Sequence, residues 1–192
     1  MSPNGELTKN GGQARESRSK SSPPYSPDGR YLAFVDWNTG DLWVRDLLSE
    51  TNRRLTSYGT LPQWWEYVDS AVISQDGSEI AYSWSIDKDS TTELRVIPIS
   101  GGTPRPVRRG EPLDYVTPFG WTPDKKWLLI SRNPPDNTTQ LAMVSVRDGS
   151  VRPLKSFGWQ DVNASLSPDA SGSHTTLTRA TRHSVTTFSF WP

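Results

Sequence analysis

Four aspartates form the most regular chemistry-bearing pattern in the chain: Asp28, Asp76, Asp124 and Asp169 stand 48, 48 and 45 residues apart. Carboxylates bind calcium or share acid–base work only when the fold brings them close together. Here each sits in the same local phrase, Ser26-Pro27-Asp28-Gly29, Ser74-Gln75-Asp76-Gly77, Thr122-Pro123-Asp124-Lys125 and Ser167-Pro168-Asp169-Ala170. Pro presets φ at the second position of a type I turn, Asp suits the third and Gly the fourth. Equivalent turns of successive repeats do not converge. These carboxylates are therefore expected to build corners, and not a metal site or a catalytic pair.

The remaining candidates for chemistry are few. Asp87, Asp89 and Glu93 make a denser acidic stretch, but the alternating ligands and central Gly of an EF-hand loop are missing, which favours a solvated loop. There is no Cys, so disulfides, a thiolate nucleophile and Cys-ligated zinc are excluded. The two histidines, His174 and His183, fall near the end of the chain, away from its regular part. No Gly-x-Ser-x-Gly elbow of an α/β-hydrolase is present. The phosphate-cradling Gly patterns are missing as well, and Gly101-Gly102 reads as a hairpin turn. The expectation is a chain that is not an enzyme and holds no cofactor and no metal.

Charge narrows the partners further. Twenty-one basic residues balance 21 acidic ones, so no net field draws the chain to nucleic acid or to an anionic membrane. No apolar run reaches membrane-spanning length, and the first residues lack the basic-then-apolar pattern of an export signal. As written the chain is expected to be cytoplasmic and not inserted in a membrane; a longer parent protein would be free to be periplasmic or membrane-attached.

The aromatic residues that stand next to acids are a different matter. Trp64, Trp65, Tyr67 and Asp69, then Asp114 and Tyr115, then Trp159 and Asp161 recur between the turn phrases. Trp and Tyr anchor interfaces more often than other residues, so these eight are the candidate interaction site. The alternative is that they pack between neighbouring structural units.

The elements that must position them follow from the same repeat. After each turn comes an apolar strand, Tyr31–Val35, Ile80–Trp84 or Trp127–Ser131, then a polar loop and a second strand, Asp41–Leu47, Glu93–Ile99 or Gln140–Val146. A third strand follows at Arg54–Thr56, Pro104–Val107 or Val151–Leu154, and a fourth ends at the next turn, as at Ser70–Ile73 and Phe119–Trp121. Four antiparallel strands in about 45 residues make one β-propeller blade. The candidate aromatic–acid clusters then fall on the linkers from one blade to the next, which gather near the central channel.

With Ser26-Pro-Asp-Gly-Arg-Tyr-Leu-Ala-Phe34, Asp41-Leu-Trp-Val44 and Arg54-Leu-Thr56, the chain resembles the TolB-like, WD-repeat-like bacterial propeller repeats over residues 24 to 170. The resemblance implies an all-β partial β-propeller of about three and a half blades. It implies several jobs: the periplasmic component of the Tol–Pal system, the propeller of a serine peptidase, or the sensor portion of a bacterial regulator. The function expected is a noncatalytic segment for protein or ligand interaction. The alternatives are the propeller of a prolyl-oligopeptidase-like peptidase lacking its catalytic domain, and a nonfunctional truncated remnant. An unclosed array would expose strand edges, so self-association through open blade edges is expected beside an unknown protein partner.

Three segments result: a disordered lead-in over 1–22, rich in Ser, Gly, Lys and Arg; blades over 23–170; and an atypical tail over 171–192. The tail lacks the apolar strand that should follow the fourth turn. Reading the back-translated stretch 185–192 two bases on admits a suitable acidic-then-apolar strand, so a frameshift near residue 170 would account for the break. A genuine β-rich or disordered tail is the alternative.

Overall fold

The computed structural model describes residues 25–57, 66–134, 136, 138–158 and 162–166, together with the backbone of 175–181 and 184–190. The strands that the repeat predicts are present. The first blade holds β1 (Tyr31–Asp36), β2 (Asp41–Asp46) and β3 (Thr51–Arg54). The second holds β4 (Glu66–Ile73), β5 (Glu79–Ile86), β6 (Thr91–Pro98) and β7 (Arg105–Arg109). The third holds β8 (Tyr115–Trp121), β9 (Trp127–Asn133), β10 (Thr139–Ser145) and β11 (Val151–Phe157). The fourth holds β12 (Asn163–Leu166), β13 (Thr175–Thr181) and β14 (Ser184–Phe190). Within each blade the strands pair antiparallel in chain order. An isolated bridge between Tyr25 and Leu32 marks the place of an inner strand in the first blade.

The burial of each strand follows from its place in the blade. β5 is covered on both faces from Ile80 to Ile86 because its sheet is sandwiched between two neighbours. The outer strands carry polar and basic residues instead: all four residues of β3 are exposed, and β7 reads Arg-Pro-Val-Arg-Arg. A row of positive charge on an outer edge also discourages another chain from pairing with it.

Three apolar cores lie between the blades, and each takes alternate residues from two sheets. Ala33, Leu42 and Val44 of the first blade meet Ile80, Tyr82, Trp84 and Ile97 of the second. Val72, Ala81, Leu94 and Val96 of the second meet Trp121, Leu128, Ile130 and Val144 of the third. Phe119, Leu129 and Leu141 of the third meet Val162 and Ala164 of the fourth. The first and second blades thus turn Ala, Leu and Val forward, the third turns Phe119, Leu129 and Leu141 forward, and the faces that the second and third blades turn back carry Trp84 and Trp121. Trp121 spans one such boundary, its indole N–H donating to the Val72 carbonyl at 3.1 Å.

The repeated aspartates are corners, as their spacing predicts. In the first turn the Ser26 hydroxyl donates to Asp28 Oδ1, and Asp28 Oδ1 also accepts the Arg30 amide at 3.0 Å. Ser26 Oγ in turn accepts the Tyr31 amide at 2.8 Å. Ser74 with Asp76, and Thr122 with Asp124, repeat the set. The fourth position lies in the left-handed region, with φ of 70° at Gly29 and 69° at Gly77, where glycine pays no steric cost. Lys125 accepts the same conformation at φ 57°. Its ammonium reaches across the blade boundary to Asp76 at 2.8 Å and to Glu79 at 3.5 Å. Lys125 thereby links the second and third blades. Asp169 lies outside the described residues.

These corners make the fold acid-sensitive. The Lys125 and Ser74 contacts hold the Asp76 carboxyl far below the usual carboxylate range, and hydroxyl and amide donors lower Asp28 and Asp124. At Asp148, in the turn after β10, the Ser150 contacts bring the value to about 2. A carboxyl with a depressed folded-state pKa stabilises the fold above its unfolded value near 4, and that contribution fades as pH falls through the folded value. Thermal unfolding is therefore expected at a steady midpoint from pH 7 to 5 and at a falling midpoint from about pH 4 to pH 2. Asp76→Asn flattens part of that fall.

Two expectations shift in detail. The third strand of the first blade is Thr51–Arg54 instead of Arg54–Thr56, because β2 pairs Trp43 with Arg54 and Asp46 with Thr51. Leu55 and Thr56 lie beyond the strand, although their amides still donate to Leu42. In the tail, the backbone of 175–181 and 184–190 forms two strands of the fourth blade, with β13 paired to both β12 and β14. Residues 1–22, and the histidines His174 and His183, lie outside the described residues.

Candidate interaction site at the inner rim

The first strand of each complete blade packs against the first strand of the next, so β4, β8 and β12 form the inner rim of the arc. Among the described residues, part of the expected linkers belongs to the heads of these strands. Tyr67 and Asp69 lie inside β4, and Tyr115 is the first residue of β8. Inner strands of seven or eight residues consume what short-strand counting had left as connection.

A β-bulge shapes this end of β4. Val68 pairs with Trp84 and Ser70 with Ser83, so Asp69 is the extra residue between them. Bulges re-aim side chains and recur where a strand carries function. Asp69 is exposed and makes no ion pair or hydrogen bond among the described residues. Packing around the bulge nonetheless disfavours its charge and raises its pKa.

Tyr67 stands two residues before it, half-buried, with Ser85 at its hydroxyl. Burial, and then the charges of Asp87 and Asp69, raise its pKa. Tyr115 occupies the same register position one blade further on, 48 residues later, and is 46% exposed. The two tyrosines are close enough to influence one another electrostatically. Gly40, in the turn before β2, fixes the other side of Tyr67. Its φ is +74°, and an added Cβ would stand 2.9 Å from the Tyr67 Cβ, so any side chain there displaces the tyrosine.

Asp114 does not join this group. It is fully buried and accepts from two nitrogens of Arg132, Nε at 3.1 Å and Nη2, which makes it an internal brace. The second blade has a contact at the same two positions, with an indole in place of the guanidinium: Trp84 Nε1 donates to Glu66, which is exposed, at 2.9 Å. Glu66 and Trp84 each precede their third-blade counterparts by 48 residues. That offset was available in the sequence, and applying it to Arg132 and Trp84 would have separated brace from surface. A further buried acid, Asp41, accepts from Thr56 Oγ1 at 2.7 Å and pairs with Arg54.

The structure thus brings Tyr67, Asp69 and Tyr115 together at the boundary of the second and third blades and assigns Asp114 to the core. Trp64, Trp65, Trp159 and Asp161 lie outside the described residues. Of the acidic stretch, Asp89 pairs with Arg109 at 2.8 Å and Glu93 with Arg95 at 2.7 Å, while Asp87 faces the Tyr67 end. Among the described residues no group of three His, Cys, Asp or Glu is placed to hold a metal ion. No helix among them is long and apolar enough to cross a membrane.

Four sheets of antiparallel strands, the second, third and fourth joined inner strand to inner strand, define an all-β partial propeller. Its blades have the fold of TolB. Over 88% of this chain the structure is similar to TolB from Acinetobacter baumannii, with 19% identity, a TM-score of 0.58 and 43% of that chain covered. It is also similar, over the same share, to a protein assigned as TolB from Agrobacterium tumefaciens, with 22% identity, a TM-score of 0.60 and 61% of that chain covered. A prolyl endopeptidase matches over 82% of this chain and 26% of its own, at 18% identity and a TM-score of 0.59. The chain therefore spans between about a quarter and three fifths of the structures it resembles. No protein-family model matches the sequence, and no curated protein is similar to it in sequence.

Proposed function

We propose that the chain is a noncatalytic propeller segment that binds a protein or peptide at the inner rim, through Tyr67, Asp69 and Tyr115. The observation that supports this most is the contrast between two acids at neighbouring inner-strand heads. Asp114 is consumed by Arg132, whereas Asp69 is exposed on a bulge beside two tyrosines and has no partner among the described residues. A carboxylate held in surroundings that disfavour its charge gains from an incoming donor or cation, and tyrosine supplies apolar area at low entropic cost.

Placing a photo-crosslinking amino acid at position 115 in producing cells tests this reading. A discrete covalent adduct is expected from position 115 and none from Leu48, which is 82% exposed in a turn on another part of the blade. Tyr67→Ala or Asp69→Asn should reduce the adduct severalfold. Equal labelling at 115 and 48 would contradict the proposal.

A second reading is supported by the prolyl endopeptidase likeness and by a match to an acylaminoacyl peptidase from Pyrococcus horikoshii, at a TM-score of 0.52. In that reading the segment is the propeller of a peptidase and filters access to a catalytic domain encoded elsewhere. A Gly-x-Ser-x-Gly elbow in an adjoining reading frame would favour it.

A further inference from the structure

The outer strands of three successive blades are basic. β3 carries Arg53 and Arg54, β7 carries Arg105, Arg108 and Arg109, and β11 carries Arg152 and Lys155, with no Asp or Glu in any of the three. The charges of the chain cancel only over its whole length, because acids such as Asp28, Asp76, Asp124 and Asp148 stand at the turns instead. Arg54 is neutralised by Asp41, and Arg109 by Asp89 and Glu93. The others keep their charge. Arg53 donates to the Ile99 carbonyl and Arg105 to the Val146 carbonyl at 2.8 Å, each on the following blade. A carbonyl fixes a guanidinium without cancelling it. Arg108 Nε is shielded from water and has no acceptor among the described residues, which is costly until one is supplied. Arg152 and Lys155 are exposed and pair with no described acid.

The three strands form one band. The two clasps seat the outer turns of the second and third blades on the outer strands of the first and second. The second of these turns lies so close to β7 that a Cβ added at Gly149 would stand 2.3 Å from the Val107 carbonyl oxygen. An incoming strand is not the partner this edge suits, since Pro106 and Pro153 interrupt it and β7 and β11 each shift register against their neighbours. Binding falls to the side chains, and guanidinium forks match carboxylate and phosphate alike. β3 and β7 hold no aromatic residue and Phe157 of β11 is buried, so nucleobases find no ring to stack on. The band also runs along the outside of an arc, which a flexible chain follows and a flat bilayer meets only in part. We infer that it docks an acidic polypeptide segment, whose Asp and Glu side chains pair with Arg105, Arg108, Arg152 and Lys155. It lies at the opposite edge of each sheet from β4 and β8, and is separate from the rim reading.

Fluorescence anisotropy of labelled poly-L-glutamate with the full chain tests the inference. Saturable binding is expected at low salt, weakening severalfold as ionic strength rises from about 0.01 to about 0.15 M and the screening length shortens. Arg152→Glu with Lys155→Glu should weaken it severalfold. Lys88→Glu with Lys126→Glu, an equal change of net charge placed in two loops, should leave it nearly unchanged. A second readout needs no variant: saturating poly-L-glutamate should slow amide exchange in β7 and β11 and leave β4 and β8 as they were. The inference is overturned by no binding at low salt, by equal weakening in the two double variants, or by protection confined to the inner strands. Tighter binding of oligothymidylate or of phosphatidylglycerol vesicles than of poly-L-glutamate would overturn it as well.

Discussion

Trp121→Ala should lower the stability of the fold by about 3–5 kcal/mol, the usual cost of removing a buried Trp or Phe side chain. Trp121 is 2% exposed and lies in the core shared by the second and third blades. Its replacement leaves a cavity lined by residues of both sheets and deprives the Val72 carbonyl of its donor. A domain's whole stability is about 5–15 kcal/mol, so a loss of this size shifts the urea midpoint strongly. Leu48→Ala, at an exposed turn position, should stay within about 0.5 kcal/mol. Equal midpoints for the two variants would mean that the second and third blades do not share that core.

The other large effect is expected at the brace beneath the rim. Arg132→Met leaves the fully buried Asp114 carboxylate without its cation. Breaking a buried pair from one side costs about 3–5 kcal/mol, whereas replacing both members with apolar residues of similar volume is often neutral. The double variant Arg132→Met with Asp114→Leu should therefore recover most of the loss. An exposed pair such as Arg30 with Asp46, at 3.0 Å, should contribute no more than about 1 kcal/mol. Chemical unfolding of Arg132→Met, of the double variant and of Arg30→Met, each beside the unmodified chain, measures all three statements. A single variant as stable as the double would place Asp114 in water.

Much of this architecture was legible because the repeat states it several times. The turn phrases fix where each second strand begins, and alternating apolar residues such as Ile80, Tyr82 and Trp84 fix which face is covered. The inner strands were harder to see. Their heads mix charged, polar and apolar residues, as in Glu66-Tyr-Val-Asp69, since one edge faces the rim and a bulge breaks the alternation. A two-residue period cannot register a bulge, so Tyr67 and Asp69 read as linker. The two acids at the strand heads were also alike in sequence. Only the placement of Arg132, at the far end of β9, distinguishes Asp114 as a buried brace from Asp69 as a surface group. Long-range pairing of that kind has no local signature, although the 48-residue offset to Trp84 and Glu66 marks it once the blades are superposed.

The fold also explains why the rim can present a stable surface. Tyr67 is held by Gly40 on one side and by Ser85 at its hydroxyl, and Tyr115 follows directly on the buried Asp114. Under the proposed reading, groups fixed in this way would lose little freedom on binding. Their position depends on neighbouring blades being locked together, which the Trp121 hydrogen bond and the Lys125 to Asp76 pair both do.

Hydrogen exchange read strand by strand tests the blade arrangement most directly. Protection is expected to rise inward from the outer edge of each blade, with β3 and β7 exchanging fast and β5 and β9, covered on both faces, exchanging slowest. Protection that is uniform, or that follows chain order instead of position within the blade, would contradict a propeller arc.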